Sequence, residues 1–225
     1  MSQDSGPVAF FGMSPIPTRA LLALTTRSSD LALTLGRRYG RARDAVRRID
    51  TEAEVALDVL RGRPIPDRIG YVASELGNFS LIWHTLSAAR GLRRGGDLAG
   101  SARISIGLGV EAALVNGPIK ALFRRQRPTT VAEVLRPHNL RQPTTSSFPS
   151  GHASAAAFFV VVAGEDDPWW PLYLAAGAVV ASSRAYVKIH HASDVLGGVV
   201  VGTVLGVAYR KLWPAPKAPG SDDDG

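Results

Sequence analysis

The chain has 225 residues, of which 45% are hydrophobic and 20% are charged, so it is long enough for one folded domain and too apolar for a disordered protein. It contains no Cys, which excludes a disulfide scaffold, a thiolate zinc site and a cysteine nucleophile. The net charge of +7 favours an anionic partner, which at this point includes nucleic acid, an anionic membrane surface and a phosphorylated substrate.

The N-terminal part of the chain is rich in Arg and lacks a long apolar run. Residues 1–18 are rich in Gly, Pro and Ser, a composition typical of poorly ordered chain. Residues 19–36 predict an interfacial helix, because charged residues interrupt their apolar run. Residues 42–61 place apolar side chains at helical spacing, and Pro64 and Pro66 are expected to end that helix.

From residue 70 onward, five apolar segments alternate with short charged ones. They are 70–89, 98–119, 153–163, 169–187 and 195–212. All but the third have about the 20 residues that cross the ~30 Å hydrocarbon layer of a bilayer. The sequence therefore predicts an all-α integral membrane bundle of about five spanning helices, with a soluble helical bundle as the alternative.

Aromatic residues at the ends of these segments favour the membrane, whereas charged residues inside the segments make them less apolar. Trp169 and Trp170 lie at one end of the fourth segment, where interfacial aromatic residues are common. Arg103 and Glu111 lie two turns apart inside the second segment, and charges buried in membrane helices usually face the interior and pair with one another. We expect these two side chains to share one inward face.

The fifth segment carries a stripe of small residues at four-residue spacing. Its members are Gly198, Gly202 and Gly206. Such a stripe predicts close packing against another helix of the same chain, and it leaves a homodimer open. The domain prediction is a basic, poorly ordered region at 1–45, a membrane domain at 46–213 and a disordered tail at 214–225.

The first cluster of chemically capable residues follows the second apolar segment. Lys120 and Arg127 are seven residues apart, so on one helix their side chains would share a face. Arg can bind phosphate oxygens through two hydrogen bonds, and Lys acts as a point charge. A basic anchor at the membrane surface is the alternative reading.

The second cluster is Ser150-Gly151-His152, which follows Pro149 and precedes an apolar run. These residues are expected at the N-terminus of a helix, where free N–H groups and the helix dipole favour an anion. A histidine there can protonate a leaving oxygen. The alternative is a loop without a function.

The third cluster contains Ser183, Arg184, His190 and Asp194. On a helix, a spacing of four residues lets the Asp194 carboxylate orient the His190 imidazole through its second nitrogen. A histidine oriented in this way beside an arginine suits nucleophilic attack on phosphorus. A helix-capping Asp and a membrane-surface His are the alternative.

Taken together and in this order, the clusters resemble the signature of the type 2 phosphatidic acid phosphatase superfamily. The three parts of that signature, Lys-x6-Arg-Pro, Pro-Ser-Gly-His and Ser-Arg-x5-His-x3-Asp, all match here, between residues 120 and 194. The helical frame from about 49 to 212 also looks like the small bacterial members of the family.

The resemblance implies a role for each residue of the signature. The implied phosphate-binding residues are Lys120, Arg127, Ser150, Gly151 and Arg184. His190 looks like the nucleophile that forms a phosphohistidine, with Asp194 orienting it. His152 looks like the general acid on the leaving oxygen and then the base that activates water. No metal and no cofactor is implied, and His84, His138 and His191 receive no role.

The function that the resemblance implies is a membrane phosphatase acting on a lipid phosphate or pyrophosphate. Its partners would be membrane lipids and an amphiphilic substrate, and not nucleic acid. The family usually has its site at the extracytoplasmic face, although the Arg-rich N-terminal region makes the positive-inside rule ambiguous here. A soluble acid phosphatase or vanadium haloperoxidase relative, and a non-enzymatic binder of lipid headgroups, are the alternatives.

Overall fold

The computed structural model describes residues 18–128 and 145–215, with side chains from residue 34 onward. The predictions for residues 1–17, for His138 and for residues 216–225 lie outside the described residues. Within the described ranges all regular structure is helical and no strand occurs, which confirms the all-α prediction.

Seven α-helices follow one another along the described chain. They are α1 (Thr18–Asp58), α2 (Pro64–Leu76), α3 (Leu81–Arg93), α4 (Leu98–Leu114), α5 (Gly151–Ala163), α6 (Trp170–Tyr186) and α7 (Ala192–Leu212). The chain divides into two compact units between Arg47 and Arg48. The first unit contains the N-terminal part of α1, and the second contains α2–α7.

Helix α1 is continuous, whereas the sequence predicted two helices at 19–36 and 42–61. The residues between them are mostly Arg, a good helix former, and the single Gly40 costs only about 1 kcal/mol relative to Ala. Pro64 begins α2 and does not end α1, because proline suits the first turn of a helix, where its missing N–H has no partner to lose.

The first predicted span, 70–89, is not a single helix. Helix α2 ends at Leu76, and a short 3₁₀ turn at Asn78–Ser80 precedes α3. Phe79 and Ser80 in this turn have φ values of 54° and 56°, in the left-handed region that interrupts a right-handed helix. Each of the two helices has 13 residues, or about 20 Å of length, which is less than a bilayer crossing.

Two helical stretches among the described residues are long and apolar enough to cross a membrane, namely Leu98–Ile119 and Ala192–Leu212. The first is α4 together with a distorted turn at Val115–Ile119 that contains Pro118. Helix α5 is also apolar, but it has only 13 residues. By length and composition, therefore, two of the five predicted spans meet the requirement.

Helix α5 lies at the centre of the second unit and packs against α4, α6 and α7. Its Phe159 ring stacks on Trp83 of α3 at 5.1 Å between centroids and meets Tyr173 of α6 edge-on at 5.2 Å. This aromatic cluster holds α3, α5 and α6 together.

The small-residue stripe of α7 faces α5. A Cβ atom added at Gly198 or Gly202 would meet the backbone carbonyl of Ser150 or Ser154, and one at Gly206 would meet Val161. The prediction of close packing within the chain is therefore confirmed. This contact also brings the N-terminus of α7 beside the N-terminus of α5.

Arg103 and Glu111 are both buried, at 3% and 2% exposure, but they do not pair with each other. Arg103 donates from Nε to the Trp213 carbonyl at 2.7 Å and forms an ion pair with Glu165 at 3.2 Å. Glu111 accepts a hydrogen bond from Ser154 at 2.5 Å. Each charge thus finds its partner on another element, which local spacing could not reveal.

Candidate active site

The three predicted clusters meet at one end of the second unit. The C-terminal ends of α4 and α6 lie there beside the N-terminal ends of α5 and α7. They surround a cavity of about 450 Å³. The predicted residues that line it are Lys120, Arg127, Gly151, His152, Arg184 and His190. Ser150 and Asp194 are fully buried, at 0% exposure.

Lys120 and Arg127 do not share a helix, so the predicted reason for their proximity is wrong. The helix ends at Ala121, and residues 123–128 have no regular structure. Lys120 donates to Asn116 Oδ1 at 2.9 Å. Burial, with the nearby Arg127 and Arg184, lowers the pKa of Lys120 to about 8. At neutral pH the side chain is still mostly a cation.

Arg127 fixes the chain around the pocket and contacts His190 directly. It donates to the carbonyls of Ile189, Thr145 and Ser146 at 3.0–3.3 Å. Its Nη1 lies 3.3 Å from His190 Nε2. Because a guanidinium group only donates, Nε2 must accept here, which assigns the proton of neutral His190 to Nδ1.

His190 and Asp194 face each other, but not as neighbours on one helix. His190 precedes α7, and Asp194 lies in its first turn. Nδ1 of His190 lies 3.7 Å from Asp194 Oδ2, too far for a hydrogen bond and close enough for a strong charge interaction. Burial lowers the pKa of His190 to about 4 despite the opposing effect of Asp194. His190 is therefore neutral at pH 7, with a lone pair on Nε2.

The second cluster begins α5, as predicted. Ser150 is the N-cap residue, and its N–H donates to the Asp194 carbonyl at 3.0 Å, which ties the starts of α5 and α7 together. A Cβ atom at Gly151 would lie 3.1 Å from Asn116 Oδ1 and 3.7 Å from Lys120 Nζ. The N-terminus of α5 therefore adds its dipole to the basic wall of the pocket.

Arg184, in the last turn of α6, is buried at 4% exposure. It donates from Nη1 to both the hydroxyl and the carbonyl oxygen of Ser74 on α2. Ser74 lies outside all three clusters, and the sequence analysis missed it. The distance of 110 residues between the two explains why no local pattern pointed to it.

The sequence analysis also missed Arg125, which binds the carboxylate of Asp194. Its Nη1 lies 2.6 Å from Asp194 Oδ1 and 2.7 Å from Ser193 Oγ, and its Nη2 lies 2.6 Å from Asp50 Oδ2. Asp50 in turn accepts from the Ser193 N–H at 2.8 Å. An ionic chain thus runs from α1 to the partner of His190, and only the position of Arg125 between Lys120 and Arg127 could have suggested it.

The two described histidines without a predicted role lie in different places. His84 lines the cavity. His191 is the N-cap of α7 and forms a capping box with Asp194, whose Oδ2 accepts from the His191 N–H at 2.8 Å. Among the side chains that the structure describes, no group of three or more His, Cys, Asp or Glu could hold a metal ion.

Fold and site together define a helical-bundle protein with a basic pocket at the ends of four helices, lined by His84, His152 and His190. The family model of the PAP2 superfamily matches residues 102–217, more than half of the chain. The chain therefore belongs to the PAP2 superfamily, which confirms the resemblance seen in the sequence.

The chain is also similar to a solved structure, the transmembrane PAP2 type phosphatidylglycerolphosphate phosphatase from Bacillus subtilis. The TM-score is 0.58 and the sequence identity 24%, and the match covers 75% of this chain and 86% of that one. At this identity the likeness establishes a common fold. No curated protein sequence gives a significant match to the chain.

Proposed function

We propose that this protein is a metal-independent membrane phosphatase that hydrolyses the phosphomonoester or pyrophosphate of a lipid. The observation that carries the proposal is the position of His190, whose Nε2 lies 3.3 Å from Arg127 Nη1 in a pocket that Lys120 and Arg184 also line. An unprotonated imidazole among cations is suited to attack a phosphate dianion. Membership of the PAP2 superfamily supports the same reaction class.

The proposed reaction has two half-reactions. In the first, His190 Nε2 attacks phosphorus, the bond to the leaving oxygen breaks, and His152 gives that oxygen a proton. In the second, His152 takes a proton from water, the water oxygen attacks the phosphohistidine, and inorganic phosphate leaves with His190 restored. Asp194 lies opposite Nδ1 and stabilises the positive charge that His190 acquires.

Charge on the phosphoryl group is balanced by the protein itself in this scheme. Lys120, Arg127 and Arg184 supply three cationic side chains, and the Gly151 N–H adds a donor at the start of α5. Cations that the fold holds in place around the pocket can stabilise the charge of a transition state without reorganisation. No step of the scheme requires a divalent metal.

A lipid substrate is favoured by the outer surface of the helices. Leu196, Val200 and Val204 of α7 are 54%, 62% and 61% exposed, on the side away from the glycine stripe. The core helix of a soluble protein would bury such a face, whereas lipid can cover it. Candidate substrates are polyprenyl phosphates and pyrophosphates, polyprenyl-phosphate sugars, phosphatidic acid and phosphatidylglycerol phosphate, with the pocket at the extracytoplasmic face.

Phosphate release from a panel of these lipids, in detergent, tests the proposal. The purified protein should release phosphate from at least one of them with a chelator present, and His190→Ala should release none. Vanadate should inhibit, since its trigonal-bipyramidal form mimics phosphorus under attack. Activity that needs added Mg²⁺ would contradict the metal-free scheme, and binding of the lipids without release would favour a headgroup-binding protein.

A further inference from the structure

The break between α2 and α3 lies against the ring of His152. A Cβ atom added at Gly77 would collide with His152 Cδ2, so only glycine fits at this point of the break. Phe79 and Ser80, just beyond it, adopt the left-handed conformation that L residues avoid. Such strain persists where surrounding contacts enforce it, and it is common at functional sites. The break precedes the region matched by the family model.

Asn78, the residue between Gly77 and the two strained positions, contacts the imidazole. Its Oδ1 lies 3.1 Å from His152 Nε2. Its Nδ2 donates to Glu75 Oε2 at 3.1 Å, which fixes the orientation of the amide because a carboxylate only accepts. An amide oxygen also only accepts, so Nε2 of His152 carries a proton. Glu75, Asn78 and His152 thus form a directed chain of hydrogen bonds.

We propose that Asn78 is the positioning residue of the general acid and base, and that Glu75 orients Asn78 for this task. The inference rests on the proposed function, in which His152 transfers protons. With Nε2–H bonded to Asn78, Nδ1 is the nitrogen left for the substrate. Burial, with the nearby Arg184, His190 and Lys120, lowers the pKa of His152, so Nδ1 carries a proton only in the imidazolium form. That form gives the Nδ1 proton to the leaving oxygen in the first half-reaction, and the neutral form takes one from water in the second.

The Nε2 hydrogen bond serves both protonation states of His152. The imidazolium ion donates from both nitrogens, and the neutral form keeps its proton on Nε2 and its lone pair on Nδ1. Asn78 therefore holds the ring in one orientation throughout the cycle, while only Nδ1 gains and loses a proton. A substitution at Asn78 should consequently act through His152 alone.

The test compares Asn78→Ala, Asn78→Asp and Glu75→Gln with the wild-type protein and His152→Ala, on an alkyl and an aryl phosphate in detergent. Asn78→Ala should lower kcat on the alkyl phosphate about 10- to 100-fold, within the ~10²–10⁴-fold that acid–base help supplies. KM should change little, since the three cations are untouched. The rate of the initial burst of aryl alcohol should fall less than kcat on the alkyl phosphate, because the aryl leaving group needs less protonation.

Asn116→Ala is the matched contrast, since Asn116 binds Lys120 and not His152. This variant should lower kcat by the same factor on the alkyl and the aryl phosphate. Asn78→Asp is made together with Glu75→Gln, because Asn78 lies 3.1 Å from the Glu75 carboxylate and two carboxylates there would repel. The new carboxylate lies opposite Nε2–H and opposes the effect of Arg184, His190 and Lys120 on His152. It should move the alkaline limb of kcat/KM up by about one pH unit or more relative to Glu75→Gln. Asn78→Ala should also add no loss in the His152→Ala background, since both act through one group.

Three results would each overturn the assignment. They are an equal loss of kcat on both substrates in Asn78→Ala, a loss that adds to that of His152→Ala, and an alkaline limb of kcat/KM that does not move with Asn78→Asp. If Asn78→Ala does not fold, the variant that combines Asn78→Asp with Glu75→Gln decides the question, because it keeps a side chain at position 78. Glu75→Gln alone is its reference, since Glu75 also acts on the charge of Arg184. A wild-type protein without phosphatase activity would instead refute the proposed function. A third outcome refutes the positioning role alone. In it the wild type is active, His152→Ala loses more activity on the alkyl than on the aryl phosphate, and the variants at positions 78 and 75 show no such difference.

Discussion

The Asp194 carboxylate contacts three partners in the site. It accepts from Arg125 and from the His191 N–H and lies opposite Nδ1 of His190. Its negative charge is thus shared between a fixed arginine and the histidine that becomes positive in the proposed reaction. The orientation of Asp194 depends on Arg125, and through it on Asp50.

We expect Arg125→Ala to lower kcat about 10- to 100-fold, because a carboxylate displaced by 1 Å no longer matches the transition state. The protein should also lose roughly 1.5–3 kcal/mol of stability, the value of a hydrogen bond to a charged group. Phosphate release and thermal unfolding in detergent measure the two effects. Arg124→Ala is the control, since Arg124 is exposed and should tolerate the change. Wild-type turnover in Arg125→Ala would show that Asp194 needs no such support.

The sequence was more informative about which residues form the site than about how they are arranged. The spacings Lys120–Arg127 and His190–Asp194 each suggested a shared helix. The helix that contains Lys120 ends before Arg127, and the helix that contains Asp194 begins after His190. Helix ends depend on tertiary contacts that a spacing argument does not contain. Ser74, Asn78 and Asp50 carried no local signal, because their partners lie 74 to 143 residues away.

Among the elements, the contact between α5 and α7 determines the geometry of the pocket. It brings together the two helix N-termini that carry Ser150 and Asp194, and it depends on glycine where α7 meets backbone carbonyls. Backbone cannot move aside as a flexible side chain can, so added atoms here separate the helices.

Gly202→Ala should therefore destabilise the protein by about 1–3 kcal/mol, the usual cost of overpacking, and lower its activity. The midpoint of thermal inactivation in detergent checks this. Gly40→Ala is the matched control, because no atom lies within 4 Å of a Cβ there and alanine is the better helix former. A Gly202→Ala variant as stable as the wild type would mean that the two helices do not pack this closely.

The split of the first predicted span has a sequence signal that hydropathy concealed. Gly77, Asn78 and Ser80 are residues that favour turns, but the apolar residues on either side dominate an average over twenty positions. The turn-forming residues were therefore the better guide to the break between α2 and α3, and the apolar content was the better guide to the all-helical fold class.

On the scale of the whole molecule, long apolar segments predicted the helical class correctly. They were a poorer guide to the number of membrane-spanning helices. Helices α5 and α6 have 13 and 17 residues, so their length does not by itself distinguish a span from a buried helix. Neighbouring helices cover much of α5, whereas α7 keeps a broad apolar outer face.

That outer face leads us to expect an integral membrane protein. High-salt and alkaline carbonate washes remove proteins held by surface charge and should leave this one in the membrane fraction. Full release by such washes would contradict insertion and favour the soluble alternative. The net charge of +7 makes the salt wash necessary, since it removes attraction to anionic lipid.

The most direct test of the proposed chemistry is to trap the phosphorylated enzyme. Wild-type protein mixed with a ³²P-labelled lipid phosphate and quenched at alkaline pH should retain label that acid releases, as a phosphohistidine does, and the labelled peptide should contain His190. His191→Ala should label like the wild type, and His190→Ala should not label. Label that persists in His190→Ala, or that maps to another residue, would contradict the assignment of His190 as the nucleophile.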